Sequence, residues 1–539
     1  MSWRNKTFEV LPALSVRRRD LRSSLRTVTI AWMFGIVWMA CISGSQMTLF
    51  CRMLGFTNRD FGILAAIPWA ATLAQLVASV AIERTGLRKY PVIFYASAHR
   101  LLWLAIALVP FVLNPGRGAV VMFMTIFGTS CVLAHMSVPR WHMWMSDLIP
   151  RRIRGRYFAA RSLWTLPIQV VVVIAAGILL DRAVISDAPM TVQAQPVLLW
   201  TICGIFAVAA VFGAVDSLLH LRIREIVSPA LADHPLVRRK GSLLAGISKS
   251  LIEPVRIIVG SFRDRNFRHY AIYCATITFS MTVSGQFFWL NALENIGYSK
   301  LGANIVFLVC GAVSSLLMVR LWGRLVDRWG RRPILILATV GVVFIPILWL
   351  LIPSARAVPG HMSLALPSGF PAVKISVHIL LAYIIGAASC MLGGALWAGV
   401  TLAQTGIVLG FSETAGKSKY MAAAAVAAAS GGFAGGLTGG EIAEFFEYLQ
   451  KKPICFGPFQ WINYHMTFLA ALAGRVAAIF CLIGMPDPGA KSFRDVVRQM
   501  RFNAYNNVMT RMFWRIRTSG FRRKRHNHTG EGKDTDQSA

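Results

Sequence analysis

Apolar runs of membrane-spanning length recur along the whole chain, separated by short polar stretches. A bilayer core takes about 20 consecutive apolar residues as a helix, and the pattern predicts about twelve such helices. The first covers 28–50. The second runs to 82, after a turn, Leu54-Gly55-Phe56-Thr57, in which Thr57 is placed as the N-cap. The next four cover 91–113, 119–144 with a kink at Pro139, 157–180, and 197–219. Helices 7 and 8 flank Ile296-Gly297-Tyr298-Ser299, which repeats the earlier turn in character and in place. Apolar runs 305–321 and 333–352 supply helices 8 and 9, and helix 10 follows a Pro-, Gly- and Ser-rich loop at 354–371. Helix 11, 421–440, is a run of small residues suited to close helix packing, and helix 12 covers 466–485.

Composition agrees with this pattern. The 539 residues are 55% hydrophobic and only 15% charged, with mean hydropathy +0.56, against roughly 25% charged in soluble proteins. The net charge of +33 raises nucleic acid as a partner, but the arginines lie in alternate loops and in both tails. That is the positive-inside distribution, and no soluble folded domain is present to bind nucleic acid. The opposite loops hold Asp181, Asp187, Glu441, Glu444 and Glu447. Both termini are therefore expected in the cytoplasm, with the chain multi-pass in the inner membrane. The nine cysteines fall mostly inside apolar runs, without metal or disulfide spacing. The first apolar run reads as a retained helix rather than a signal peptide.

The expected organisation is a cytoplasmic tail (1–27), a six-helix bundle (28–221), a basic connector (222–268), a second six-helix bundle (269–486) and a basic tail (487–539). Within the connector, 243–262 mixes apolar and basic residues, the pattern of a helix lying on the inner membrane surface. In the last tail, Phe493, Val497, Met500, Ala504 and Val508 recur at helical spacing among arginines. A basic amphipathic helix on anionic lipid is expected there.

Between helices 8 and 9 stands Gly323-Arg324-Leu325-Val326-Asp327-Arg328-Trp329-Gly330-Arg331-Arg332. A worn copy joins helices 2 and 3: Glu83 falls where Asp327 does, Arg84 where Arg328 does and Gly86 where Gly330 does, with Arg88 following. A second motif, Asp147-Leu-Ile-Pro150 leading to Arg154-Gly155-Arg156-Tyr157, joins helices 4 and 5. Its degenerate partner holds Glu413, Lys417, Lys419 and Tyr420. Internal repeats of this kind mark two related halves.

These four loops resemble the signature loops of the major facilitator superfamily. The resemblance implies an all-α membrane fold of about twelve helices in two pseudo-symmetric bundles, with the loops' acids and bases forming a cytoplasmic gate. It predicts Glu83 near the 417–420 end of helix 11, and Asp327 near the 154–157 end of helix 5, when that side is closed. It also implies that helices 1, 4, 7 and 10 line the substrate cavity. On those helices the polar candidates are Gln46, His135, Arg140, Gln286, Trp289, Asn291, Trp397 and Gln404. Arg140 is expected to lean toward Asp147, two turns along its helix, or toward another acid of the inner gate, and to meet an anionic part of the substrate. Arg100 and Asp216, on helices that are peripheral in that fold, are read as a structural pair. The four cavity-lining helices carry no acid in mid-membrane, which leaves His135 as the titratable group suitably placed for proton coupling.

The function implied is a secondary transporter moving a small polar or anionic organic solute by alternating access. Multidrug export is the alternative within the class, and a membrane enzyme or non-transporting sensor the alternative outside it. An enzyme needs a paired nucleophile and base or a metal cluster, and the sequence displays neither, so no catalytic residue, metal or cofactor is expected. The expected partners are a small-molecule substrate, a coupling proton or ion left open, and anionic lipids at the basic tail, with the chain itself a monomer.

Overall fold

The structure is a computed structural model that describes residues 7–11, 14–85, 88–185, 188–223, 256, 258–353, 361–364, 373–411, 417–483, 485 and 498. The first half holds α1 (Arg18–Ile42), α2 (Ser45–Met53), α3 (Asn58–Ala71), α4 (Ala74–Thr85), α5 (Lys89–Val112), α6 (Arg117–Leu148), α7 (Arg151–Ala183) and α8 (Pro196–Leu219). The second holds α9 (Arg265–Leu290), α10 (Lys300–Asn304), α11 (Gly311–Trp329), α12 (Arg331–Val342), α13 (Phe344–Leu350), α14 (Val377–Phe411), α15 (Lys417–Phe445) and α16 (Asn463–Cys481). Short π-helical turns, Asn291–Ile296 and Ile305–Cys310, extend α9 and join α10 to α11. Among the described residues the strands form three two-stranded hairpins in the tail and loops.

Among the described residues eleven helical stretches are long and apolar enough to cross a membrane. The 26-residue α9 is equally long but richer in Ser and Thr. It is the inner helix of its half, packed against both α15 and α16, so hydroxyls are tolerated where lipid is not the neighbour. Large apolar side chains such as Leu317, Phe344, Trp200 and Phe445 lie exposed on the outer faces, as they do where lipid rather than water is the solvent. The chain is a multi-pass membrane protein.

The long elements fall where the apolar runs place them, with two differences. Helix 1 begins at Arg18, ten residues before its apolar run, and is broken at Ser43–Gly44 so that its last turns form α2. Helix 2 is interrupted at Thr72–Leu73, just after Pro68. The connector segment 243–255, the amphipathic tail from 499 onward, and Gly86 and Glu413 lie outside the described residues.

The repeated turns are alike in detail. Gly55 and Gly297 both take left-handed φ, +93° and +83°, which glycine adopts without strain. Two residues on, Thr57 and Ser299 each cap the following helix: Thr57 Oγ1 accepts from Asp60 N, and Ser299 Oγ accepts from Gly302 N. Asp60 closes the capping box by accepting from Thr57 N at 3.0 Å, and also takes an ion pair from Arg117 at 2.6 Å. Thr57→Ala is expected to cost about 1 kcal/mol, seen as a lower thermal midpoint, while Thr57→Ser retains the cap and the midpoint.

Candidate functional site: the interface between the halves

The ends of the helices divide into a basic end, near Arg88, Asp147, Arg328 and Arg331, and a distal end, near Arg52, Arg59, Glu294 and Glu441. Among the described residues, polar contacts between the halves gather at the distal end. There α15 is flattened on two sides by glycine. An ideal Cβ on Gly435 or Gly439 would strike the Phe279 or Val283 carbonyl of α9. One on Gly436 or Gly440 would strike Ala66 or Gly62 of α3. Stripes spaced by four residues let three helix backbones touch.

Polar groups lock the same end. Arg52, on α2, forms a two-pronged pair with Glu294 of the other half, Nε to Oε1 at 2.6 Å and Nη2 to Oε2 at 3.2 Å. Its Nη2 also donates to Asn58 Oδ1 (3.0 Å) and the Tyr464 hydroxyl (2.9 Å). Tyr464 in turn donates to Glu294 Oε2 at 2.6 Å. Arg59 pairs with Glu441 at 2.8 Å. Asp181, at the end of α7, accepts from the backbone of Lys300 (2.7 Å) and Leu301 (3.0 Å). A carboxylate of one half thus caps a helix of the other, satisfying its orphan N–H groups.

The break in helix 1 belongs to this lock. Gly44 has φ +98°, and Asn304 of α10, fully buried, accepts from Ser45 N at 2.9 Å. Gln46, expected in the substrate cavity, is instead fully buried and donates to the carbonyls of Ala40 (2.9 Å), Cys41 (3.0 Å) and Ser43. It supplies donors that the broken helix no longer supplies.

The other candidates are dispersed. His135 accepts or donates across to Gln75 of α4 at 2.8 Å. Trp289 packs against Phe307, ring centroids 4.3 Å apart and the rings tilted by 31°. Asn291 is fully buried, accepts from Asn295 at 2.9 Å and lines a small distal cavity of about 100 Å³ beside His378 and His465. Gln286, Trp397 and Gln404 are half-buried, with no side-chain hydrogen bond among the described residues.

Arg140 departs from its expected place. It does not lean toward Asp147, which pairs with Arg88 instead. Its guanidinium lies 5.3 Å from the Tyr95 ring on α5 and donates to the Met136 carbonyl of its own helix at 2.6 Å. The heptad spacing was right, but Arg88 reaches Asp147 from the neighbouring helix and an aromatic face satisfies Arg140 locally.

At the basic end the described contacts of Arg88, Asp147 and Arg154 lie within their own half. Arg154 donates to the Ser146 (2.6 Å) and Ile149 (3.2 Å) carbonyls and so caps α6. Tyr157 donates to Leu25 O at 3.1 Å. Gly330 turns with φ +95°. Arg331 lies along Gly406 and Gly410 of α14. Arg156, Asp327 and Arg328 are at least partly exposed. Among the described residues no ion pair crosses between halves at this end. The side chains of Glu83, Arg84, Lys417 and Lys419 are not among those described.

Arg100 and Asp216 do pair, at 2.5 Å, and are buried. They line a cavity of about 310 Å³ inside the first half, with Trp32, Trp141 and Arg161. Arg161 was not singled out from the sequence, because it sits on a helix outside the four expected to line the cavity. An arginine ten residues into a membrane helix was the available signal.

No family model matches the sequence, and no curated protein matches it. Solved structures do match in shape. A D-xylose-proton symporter aligns with TM-score 0.58 and 14% identity, over 88% of this chain and 100% of that one. The nucleoside transporter NupG aligns with TM-score 0.55 and 10% identity, over 86% and 98%. The xylose transporter XylE from E. coli, in an inward open conformation, aligns with TM-score 0.54 and 15% identity, over 89% and 99%. At such identities the likeness speaks to architecture, and with the long helices and the repeated turns among the described residues it gives one answer: this chain has the fold of the major facilitator superfamily.

Proposed function

We propose that this chain is a secondary transporter that moves a small polar or anionic organic solute by alternating access between its halves. The observation that carries the reading is the asymmetry of the interface. The halves are joined by glycine stripes and by the Arg52–Glu294–Tyr464 cluster at the distal end, while basic-end charges such as Arg88 and Asp147 pair within one half. A molecule that rocks needs contacts at one end that can be exchanged for contacts at the other. The distal lock is one such set. Glu83, Asp327, Glu413 and the Lys417–Lys419 segment form the opposing set when the basic end closes.

By the positive-inside rule the basic end faces the cytoplasm of an inner membrane, and the basic tail rests on anionic lipid. The half-buried Gln286, Gln404 and Trp397 are the solute-binding candidates, since their side-chain polar groups have no protein partner among the described residues and remain open to a ligand. The names of the structural neighbours point the first assays to pentoses and nucleosides, beside small organic acids.

Purified protein in liposomes is expected to catalyse saturable counterflow of at least one of these solutes, faster than protein-free liposomes. An imposed pH gradient alters net uptake if a proton is coupled. Absence of saturable exchange for every class, from protein that melts cooperatively, would overturn the reading.

A further inference from the structure

We infer that the cavity inside the first half is a binding site for a small amphiphilic carboxylate, with Arg161 as the anion anchor. This goes beyond transport, because the cavity is lined by helices of one half, α1, α5, α6, α7 and α8, and not by the interface.

Arg161 carries the argument. By the helical rise it lies about 15 Å along α7 from Arg151. Three aromatic rings surround its guanidinium, Phe158 at 4.9 Å, Trp32 at 5.0 Å and Trp141 at 5.5 Å. It has no ion pair or hydrogen bond among the described residues, and its Nε is buried without an acceptor. The aromatic faces hold a cation in place and leave its in-plane N–H groups free to take a carboxylate in the bidentate manner.

Asp216, the carboxylate in the cavity wall, forms no ion pair with Arg161. Asp216 is already held by Arg100 at 2.5 Å. His220 is fixed neutral by its contacts: Nδ1 donates to the Asp216 carbonyl at 2.8 Å, so Nε2 is free to accept from Trp141 Nε1 at 3.3 Å. With Arg100 and Asp216 cancelling, Arg161 leaves the cavity one positive charge in excess. Trp38 Nε1 and Arg100 Nε are further buried donors there without acceptors, against a single unpaired acceptor, Asp216 Oδ1. A wall rich in unpaired donors selects an anion.

The rest of the wall is apolar, with Val28, Val92, Ile93 and Val138. At about 310 Å³ the space is at the low end for ligand pockets, roughly 300–1,000 Å³. It is too small for a whole phospholipid, and the ligand class is therefore a short monocarboxylate with an apolar body.

The test is calorimetric titration of octanoate into the full chain in phosphatidylcholine nanodiscs, with octanamide as the uncharged probe. Octanoate is expected to bind saturably at one site, at least tenfold more tightly than octanamide. Arg161→Gln should weaken octanoate binding tenfold or more and leave octanamide unchanged, and Arg161→Lys should fall between. Arg152→Gln, an exposed arginine on the same helix, should bind as the unaltered chain does. Ala134→Phe, which fills the cavity and leaves every charge in place, should abolish binding of both probes. Absence of saturation, equal affinity for acid and amide, or unchanged binding in Arg161→Gln or Ala134→Phe would each overturn the site.

Discussion

A Gly436→Val variant is expected to fold, to lose closure of the distal end, and to lose transport with it. An ideal Cβ at Gly436 would stand 2.7 Å from the backbone nitrogen of Ala66, and 2.9 Å from its Cα and Cβ. These are atoms of a helix backbone and cannot turn aside as a long side chain can. Nor can α15 retreat, because Gly435 on its other face already meets the Phe279 carbonyl of α9. Overpacking typically costs about 1–3 kcal/mol, and here the strain is relieved by parting α3 from α15 rather than by unfolding either half. Since about 1.4 kcal/mol is tenfold, the distal-open population should rise roughly ten- to a hundredfold.

The measurement uses a cysteine at Ala66, which is 1% exposed in this state, in a background where the nine native cysteines are serine. A membrane-impermeant maleimide should label it at least tenfold faster when Gly436→Val is added. Gly204→Val is the control, because nothing lies within 4 Å of a Cβ at that position. Unchanged labelling and intact transport in Gly436→Val would show that the stripe is not the closing surface.

What the sequence made legible follows from range. The helices depend on local hydropathy, and the caps at Thr57 and Ser299 and the left-handed Gly55, Gly297 and Gly330 depend on a few neighbouring residues. The small residues of helix 11 announced close packing, but not that alternate glycines would meet different halves of the molecule. The distal lock joins Arg52, Glu294 and Tyr464, which only tertiary structure brings together. Read along the chain, acids at that end look like ordinary loop charges. The broken helix 1 was hidden because Gly44 sits in a run whose hydropathy continues across it, and the partner that stabilises the break, Asn304, lies in the other half. Arg140 shows the limit of helical periodicity. Spacing set the face it occupies, but the choice between Asp147 and Tyr95 was made by α5.

Neutralising Glu294 should release the central polar cluster of the distal lock and reduce the salt dependence of closure to what the Arg59–Glu441 pair contributes. Glu294 receives two bonds from Arg52 and one from Tyr464, and Glu294→Gln retains the shape while removing the charge. Bonds to charged groups contribute about 1.5–3 kcal/mol when desolvated. Both partners here are partly exposed, so screening places the expected loss near the lower figure, roughly a tenfold shift toward the distal-open state. Arg52→Ala should act more strongly, because it also strips donors from Asn58 and the Phe56 carbonyl (2.7 Å) and leaves Glu294 without its counter-ion. The same Ala66 cysteine reports both. In the unaltered protein, raising ionic strength from about 0.01 M to 1 M shortens the Debye length from about 30 to 3 Å, and labelling should quicken. In Glu294→Gln it should already be fast and should respond less to salt. The double variant Arg52→Gln/Glu294→Gln should label no faster than the faster single, since each single change already breaks the shared pair. If labelling in Glu294→Gln matches the unaltered protein at low salt, the Arg52–Glu294 pair adds nothing to closure.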